Sequence, residues 1–195
     1  MSPPISRRGF CALGLAAALP ARLAAAPIRY VLDTSRSTVG FGVDLAGQTF
    51  TGSMPVASAD LALDFATLRN SRIAVTLDAA RARMGFALAT DAMRGPDLLD
   101  TARHPVIAFR STAVQPTDDP ARATVSGDVT IRGITGPVTV AAVLTQDRAT
   151  LGQDNPELVF ILQGRVNREM FRITAYKGLV GPMVSLDIRA SIRRG

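Results

Sequence analysis

Few side chains in this 195-residue chain could do chemistry, and their spacing limits what that chemistry could be. The one histidine, His104, stands before Pro105 at the opening of an alternating segment. A catalytic base needs a nucleophile held beside it, and no nucleophile-elbow motif or comparable local signature accompanies His104. Its position suits the shaping of a turn. Asp91, Asp97 and Asp100 lie close together, but helix capping and loop contacts account for carboxylates at such places. With no second His, and the only Cys at position 11, a metal would have to be held by carboxylates alone, so no metal site and no catalytic set is assigned. Arg168 is a different case. Phe160, Leu162, Gly164 and Val166 share a parity that Arg168 continues, so an unbroken strand would aim its guanidinium inward at the strand's end. A guanidinium there could grip a phosphate bidentately, or form a structural ion pair with Asp91, Asp97 or Asp128.

The elements that must position these residues read mostly as strands. Ile28, Tyr30 and Leu32 alternate with polar or smaller neighbours, as do Val39, Phe41, Val43 and Leu45, before Ala46-Gly47-Gln48 turns the chain. Phe50 to Met54 starts another strand, which Pro55 confines to an edge, bulge or kink. Leu61, Leu63 and Phe65 continue the pattern, and Ile73, Val75, Leu77 and Ala79 follow it after a turn at Asn70-Ser71. Between Ala80 and His104 the period changes: Phe86, Ala89, Thr90 and Met93 fall at helical spacing and Gly95-Pro96 stops them, predicting a short helix at about 83–94 and a helical turn within 97–101. Strands then follow at 106–114, 123–144 as a hairpin, 157–166 and 183–192, with turns at 116–121 and 153–156. In the hairpin, Gly133 opens a turn expected to end at Gly136-Pro137. Eight or more alternating runs with short turns exclude a doubly wound parallel sheet and indicate an antiparallel barrel or sandwich.

The first 26 residues belong to a different class. Ser6-Arg7-Arg8-Gly9-Phe10 is a twin-arginine pattern, followed by an apolar run of about ten residues, half of what a membrane span requires, and by small residues up to Ala26. Residues 1–26 are therefore read as an export signal and 27–195 as one domain. Removing the signal takes away the only Cys, which excludes a disulfide framework, and three of the arginines behind the formal net charge of +6. The remaining basic residues are scattered rather than clustered with aromatics, which argues against a nucleic-acid surface.

Four ordered stretches carry a family resemblance. Gly127 to Val138 reads GDVTIRGITGPV. Before it come Tyr30, Asp33, Ser37, Val39 and Phe41, then Asp91, Met93, Asp97, Leu98, Leu99, Asp100, Pro105, Phe109 and Ser111; after it come Asn167, Arg168 and Phe171. In these positions the chain resembles the YceI-like periplasmic proteins. It departs from their usual pattern at Ala92, where they carry His, at Leu98-Leu99, where they carry a Phe pair, and at Arg172, where they carry Gly.

The resemblance implies an eight-stranded antiparallel up-and-down barrel, lipocalin-like, with a short helix near its opening. It also implies a periplasmic binding or carrier protein, not an enzyme, for a long isoprenoid lipid such as a polyprenyl phosphate or a quinone, with transient membrane contact. The residues then expected to touch the lipid are Phe41, Val43, Phe50, Val75, Phe86, Met93, Phe109, Phe160, Leu162 and Gly164, with Arg168 at the head group. Two other readings stay open: an enzyme or electron-transfer accessory acting on a quinone, and an interaction module whose barrel is filled by its own side chains.

Overall fold

The structure is a computed structural model that describes residues 26–146 and 157–195. The export signal, apart from Ala26, and the turn expected at 153–156 lie outside the described residues.

A closed antiparallel ring of eight positions forms the barrel. β1 (Ile28–Leu32) and β2 (Thr38–Leu45) share one position, both pairing with the last strand. β3 (Gln48–Met54) and β4 (Val56–Leu63) share the next, as one run broken at Pro55, which cannot donate to a ladder. β5 (Arg72–Asp78) follows, and a two-residue β6 (Arg83–Met84) adds to the edge of β3. The ring then runs through β7 (Val106–Pro116), β8 (Arg122–Ile131), β9 (Ile134–Leu144), β10 (Leu158–Asn167) and β11 (Val180–Arg194). β11 is long enough to meet β2 with its first half and β1 with its last residues, which closes the sheet and leaves β3 and β6 as its free edge.

Local chemistry explains the turns. Ala46 and Gly47 both have positive φ (53° and 82°), as do Arg132 and Gly133 (52° and 73°), the two-residue geometry whose twist matches the flanking strands. The β8–β9 turn is thus Arg132-Gly133 alone, and Gly136-Pro137 lies inside β9, opposite Val129 and Asp128. The expected turn was too long because a Gly-Pro pair reads as a break. Here the missing N–H of Pro137 falls where β9 has no ladder to β10, which begins only at Val140. Gly136 is needed for contact: a Cβ there would meet the fully buried ring of Phe171 at 3.2 Å. The sequence motif centred on this hairpin therefore serves the packing.

The only α-helix among the described residues is α1 (Ala87–Arg94), shorter than the expected 83–94 because Arg83-Met84 pairs with β3 instead. Residues 95–104 form turns, not a further helix. Arg94 donates from Nε to the Ala82 carbonyl at 2.9 Å, and Arg132 from Nη2 to that of Pro96 at 3.1 Å. These two contacts fasten the helical segment across one end of the barrel.

The other end is closed by aromatic packing. Phe65 lies beyond β4, in a bend rather than in the strand expected for it, with its ring edge-on to Tyr30 at 5.7 Å and stacked parallel to Phe160 at 6.4 Å. Asp64 holds that bend. It accepts from the backbone N–H groups of Ala66 and Thr67 and from the Asn70 side chain. Those donors keep its carboxyl below the usual carboxylate range, with the Asn70 hydrogen bond the largest cause.

Candidate functional site

Inside the barrel the side chains do not fill the space. They leave a cavity of about 780 Å³, within the size of typical small-molecule sites, and its wall is almost wholly apolar. The sequence alternation is the cause. Val39, Phe41 and Val43, Ile73, Val75 and Leu77, Val138, Val140 and Ala142, and Phe160 and Leu162 each put one strand face on this wall. These groups are medium or small, so they line a barrel of eight strands without filling it.

The expected lipid contacts come together, with one exception. Val75 and Phe160 lie towards the aromatic plug, in the cluster around Tyr30 and Leu158. Phe41, Phe109 and Leu162 line the middle, and Met93 reaches in from α1. Val43 and Phe50 pair near the β2–β3 turn, where Phe86 meets Phe50 edge-on at 5.9 Å. Gly164 is the exception: it does not line the cavity. Its inward side is covered, and a Cβ there would stand 2.7 Å from Val140 Cγ1 and 2.9 Å from the Thr139 carbonyl oxygen. Its parity is right, but its neighbour leans over it. A large side chain at 164 would therefore strain the wall before it reached the lumen.

Arg168 also lines the cavity, yet its guanidinium is largely committed elsewhere. The strand stops at Asn167, whose side chain caps a 3₁₀ turn over Arg168–Phe171, so the parity that aims Arg168 inward is interrupted there. The side chain is buried. Nε donates to the Gly181 carbonyl at 3.0 Å, Nη1 to those of Ile173 (3.0 Å) and Ala175 (2.8 Å), and Nη2 to that of Val180 (2.8 Å). Four of its five N–H groups are thus used by backbone carbonyls. Neither expected arrangement fits this geometry. A bidentate phosphate grip needs two free parallel donors, and the guanidinium forms no ion pair with Asp91, Asp97 or Asp128. One Nη2 hydrogen is left.

The remaining candidates stand apart from the cavity wall. Asp91, Asp97 and Asp128 are exposed, and Asp100 is buried with Arg103 3.6 Å away. Among the described residues no cluster of His, Cys, Asp and Glu could hold a metal ion. His104 packs on the β8–β9 turn, its ring 3.4 Å from where a Gly133 Cβ would be, in keeping with a turn-shaping role.

Sequence reasoning missed Phe65, Leu88, Tyr176 and Leu179, which also line the cavity. The last two belong to the irregular 168–179 connection, where no strand period marks an apolar residue as inward.

The family model for the YceI-like domain matches residues 30–192. The chain belongs to the YceI-like family. A UPF0312 protein of Vibrio vulnificus is 30% identical over 139 residues, covering 70% of this chain and 73% of its own. One of Vibrio parahaemolyticus is 28% identical over the same shares. Among solved structures, BcnA of Burkholderia cenocepacia superimposes with a TM-score of 0.71 at 21% identity, covering 83% of this chain and 99% of its own. A Campylobacter jejuni YceI protein gives 0.58 at 18% identity, covering 71% and 81%. The YceI-like barrel is a binding type of fold, and its cavity is the candidate site. No described helix is long and apolar enough to cross a membrane.

Proposed function

We propose that this YceI-like protein is a periplasmic, non-enzymatic binding or carrier protein for a single long isoprenoid chain, held in the barrel with its head group towards the α1 end. The observation that carries this reading is the cavity: about 780 Å³ bounded by apolar side chains from plug to opening. Water filling a space of that size would find almost no hydrogen-bonding partners on its wall, a deficit against bulk water. An occupant with no polar groups along its length removes that deficit, each buried methylene contributing about 0.8 kcal/mol. A branched, slender prenyl chain has that character.

The head group is constrained by Arg168. With one N–H remaining, that residue suits a single oxygen, either a quinone carbonyl or one phosphate oxygen, rather than a bidentate anion. The reading of an interaction module with a filled barrel loses its support, since the side chains do not fill the space.

Native mass spectrometry of the protein purified from its own periplasm, followed by organic extraction, tests the proposal. A stoichiometric prenyl lipid or quinone is the expected result. A mass without ligand, together with no uptake of supplied prenyl lipids, would overturn it.

A further inference from the structure

The connections at the two ends of the barrel differ in charge. At the α1 end, the connections 46–47, 79–105, 132–133 and 168–179 carry eight basic side chains against four acidic ones, and of the eight only Arg168 is buried. At the plugged end, the described residues of the corresponding connections carry five acidic against two basic. The connections around the open end are therefore net positive, while the strand ends carry the opposite balance, with Arg29, Arg72, Arg122, Arg193 and Arg194 near the plug and Asp44, Asp78 and Asp128 near the mouth.

That same end exposes apolar side chains. Phe86, Leu88, Tyr176 and Leu179 are 46, 77, 49 and 50% exposed, and all four also line the cavity, so one apolar surface continues from the interior over the rim. Tyr176 stands at the rim with a left-handed backbone (φ 58°), a costly conformation for a bulky residue, and Lys177 follows it. A tyrosine at such a rim is suited to the membrane interface, its ring lying at headgroup depth, whereas the Lys177 ammonium is paired with Glu169 at 3.3 Å.

We infer that the open end of the barrel docks on an anionic phospholipid bilayer, with Phe86, Leu88, Tyr176 and Leu179 entering the interface and the surrounding basic side chains meeting lipid phosphates. The exposed apolar rim supplies the orientation, and the net positive connections around it favour a negative surface. Those connections also argue against a second copy as the occupant, because two mouths face to face would bring like charges together. The inference rests on the carrier reading for its purpose: a water-insoluble chain would pass between bilayer and cavity without crossing water.

Vesicle flotation tests it. Chain 27–195 is the form to use, since the ring closes on residues 28–194 alone and the apolar N-terminal run would bind vesicles by itself. It should float with vesicles of phosphatidylcholine and phosphatidylglycerol much more than with phosphatidylcholine alone, and the difference should shrink at high salt. Leu88→Asp with Leu179→Asp should lower partitioning by on the order of tenfold per leucine, while Val31→Asp, exposed at the other end, should leave it unchanged. No flotation with anionic vesicles, or parental binding by the double variant, would overturn the inference. So would a dimer in light scattering that the double variant breaks, which assigns the rim to a second copy. Uptake of a prenyl quinone and of a polyprenyl phosphate from detergent is scored separately. A chain that floats but takes up neither a prenyl quinone nor a polyprenyl phosphate refutes the carrier reading and supports docking.

Discussion

Arg168→Met separates a clasp from a head-group contact. The guanidinium gathers the carbonyls of Ile173, Ala175, Val180 and Gly181, both arms of the connection that brings Tyr176 and Leu179 to the cavity mouth. Each hydrogen bond to a charged group contributes about 1.5–3 kcal/mol net. The four do not sum, because Ala175, Val180 and Gly181 are only half-buried and water can reach their carbonyls once the side chain is gone. The carbonyl of Ile173, itself buried, has less chance of that recovery. We expect a loss of about 2–4 kcal/mol, one buried carbonyl left unsatisfied plus part of the other three bonds, and a fall in Tm of roughly 10 °C. Arg168→Lys should recover only part of it, since a compact ammonium has three donors and cannot span four acceptors. Urea unfolding gives the stability, and amide hydrogen exchange locates it: protection should fall first at Leu179 and Val180, whose N–H groups bond to the Tyr176 carbonyl. Unchanged stability with unchanged exchange at these amides would refute the clasp. If stability held while quinone affinity dropped, the side chain would be a head-group contact after all.

Filling the lumen with Leu162→Phe and Val75→Phe, both partly exposed on the cavity wall, should lower prenyl-quinone uptake roughly tenfold or more while leaving the urea midpoint level or higher, because the added rings enter empty space instead of a packed core. Titration with a fluorescent quinone analogue checks the first effect and urea unfolding the second. Ala46→Asn should stabilise by about 0.5–1 kcal/mol, since Asn accepts the left-handed conformation that Ala46 adopts before Gly47. A shifted urea midpoint at unchanged slope would show it. Asp64 has a lowered folded-state pKa, so its contribution is present above the ordinary carboxylate value of about 3.9 and is lost as pH falls through the folded value. Asp64→Asn should therefore be less stable than the parent at neutral pH and show a smaller further loss in acid, as read from urea midpoints between pH 6 and 2.

How far the sequence carried the structure depended on the kind of signal each residue gives. The alternation in 39–43, 73–77, 138–142 and 160–162 is a backbone property, and all four runs reached the cavity wall. Gly164 obeys the same parity and still misses the lumen, because parity says which side a residue faces and not whether Val140 leans over it. The partners of Arg168 were not legible for a related reason. Its partners are backbone carbonyls of an irregular segment, and a carbonyl has no residue type, so an Arg seeking one cannot be told from an Arg seeking a carboxylate. Phe65 looked like one more strand residue until Asp64, accepting from three donors, bent the chain and turned the ring across the barrel end.

These residues also explain why the barrel has a direction. Phe65 packs with Tyr30 and Phe160 across one end, while the exposed residues that line the cavity, Phe86, Leu88, Tyr176 and Leu179, mark the other as the candidate entrance. There the wall is completed by α1 and by the 168–179 connection, the two pieces without strand periodicity, and both hold position through arginines bonded to backbone carbonyls: Arg94 to Ala82 and Arg168 to four acceptors. Strand ladders resist local opening because each residue is paired on two sides. A helix and a loop held by a few side-chain contacts can open at much lower cost. The entrance is therefore built from the elements that can move while the ring of strands stays closed. On the carrier reading we propose, a long chain passing into the cavity would need that division of labour.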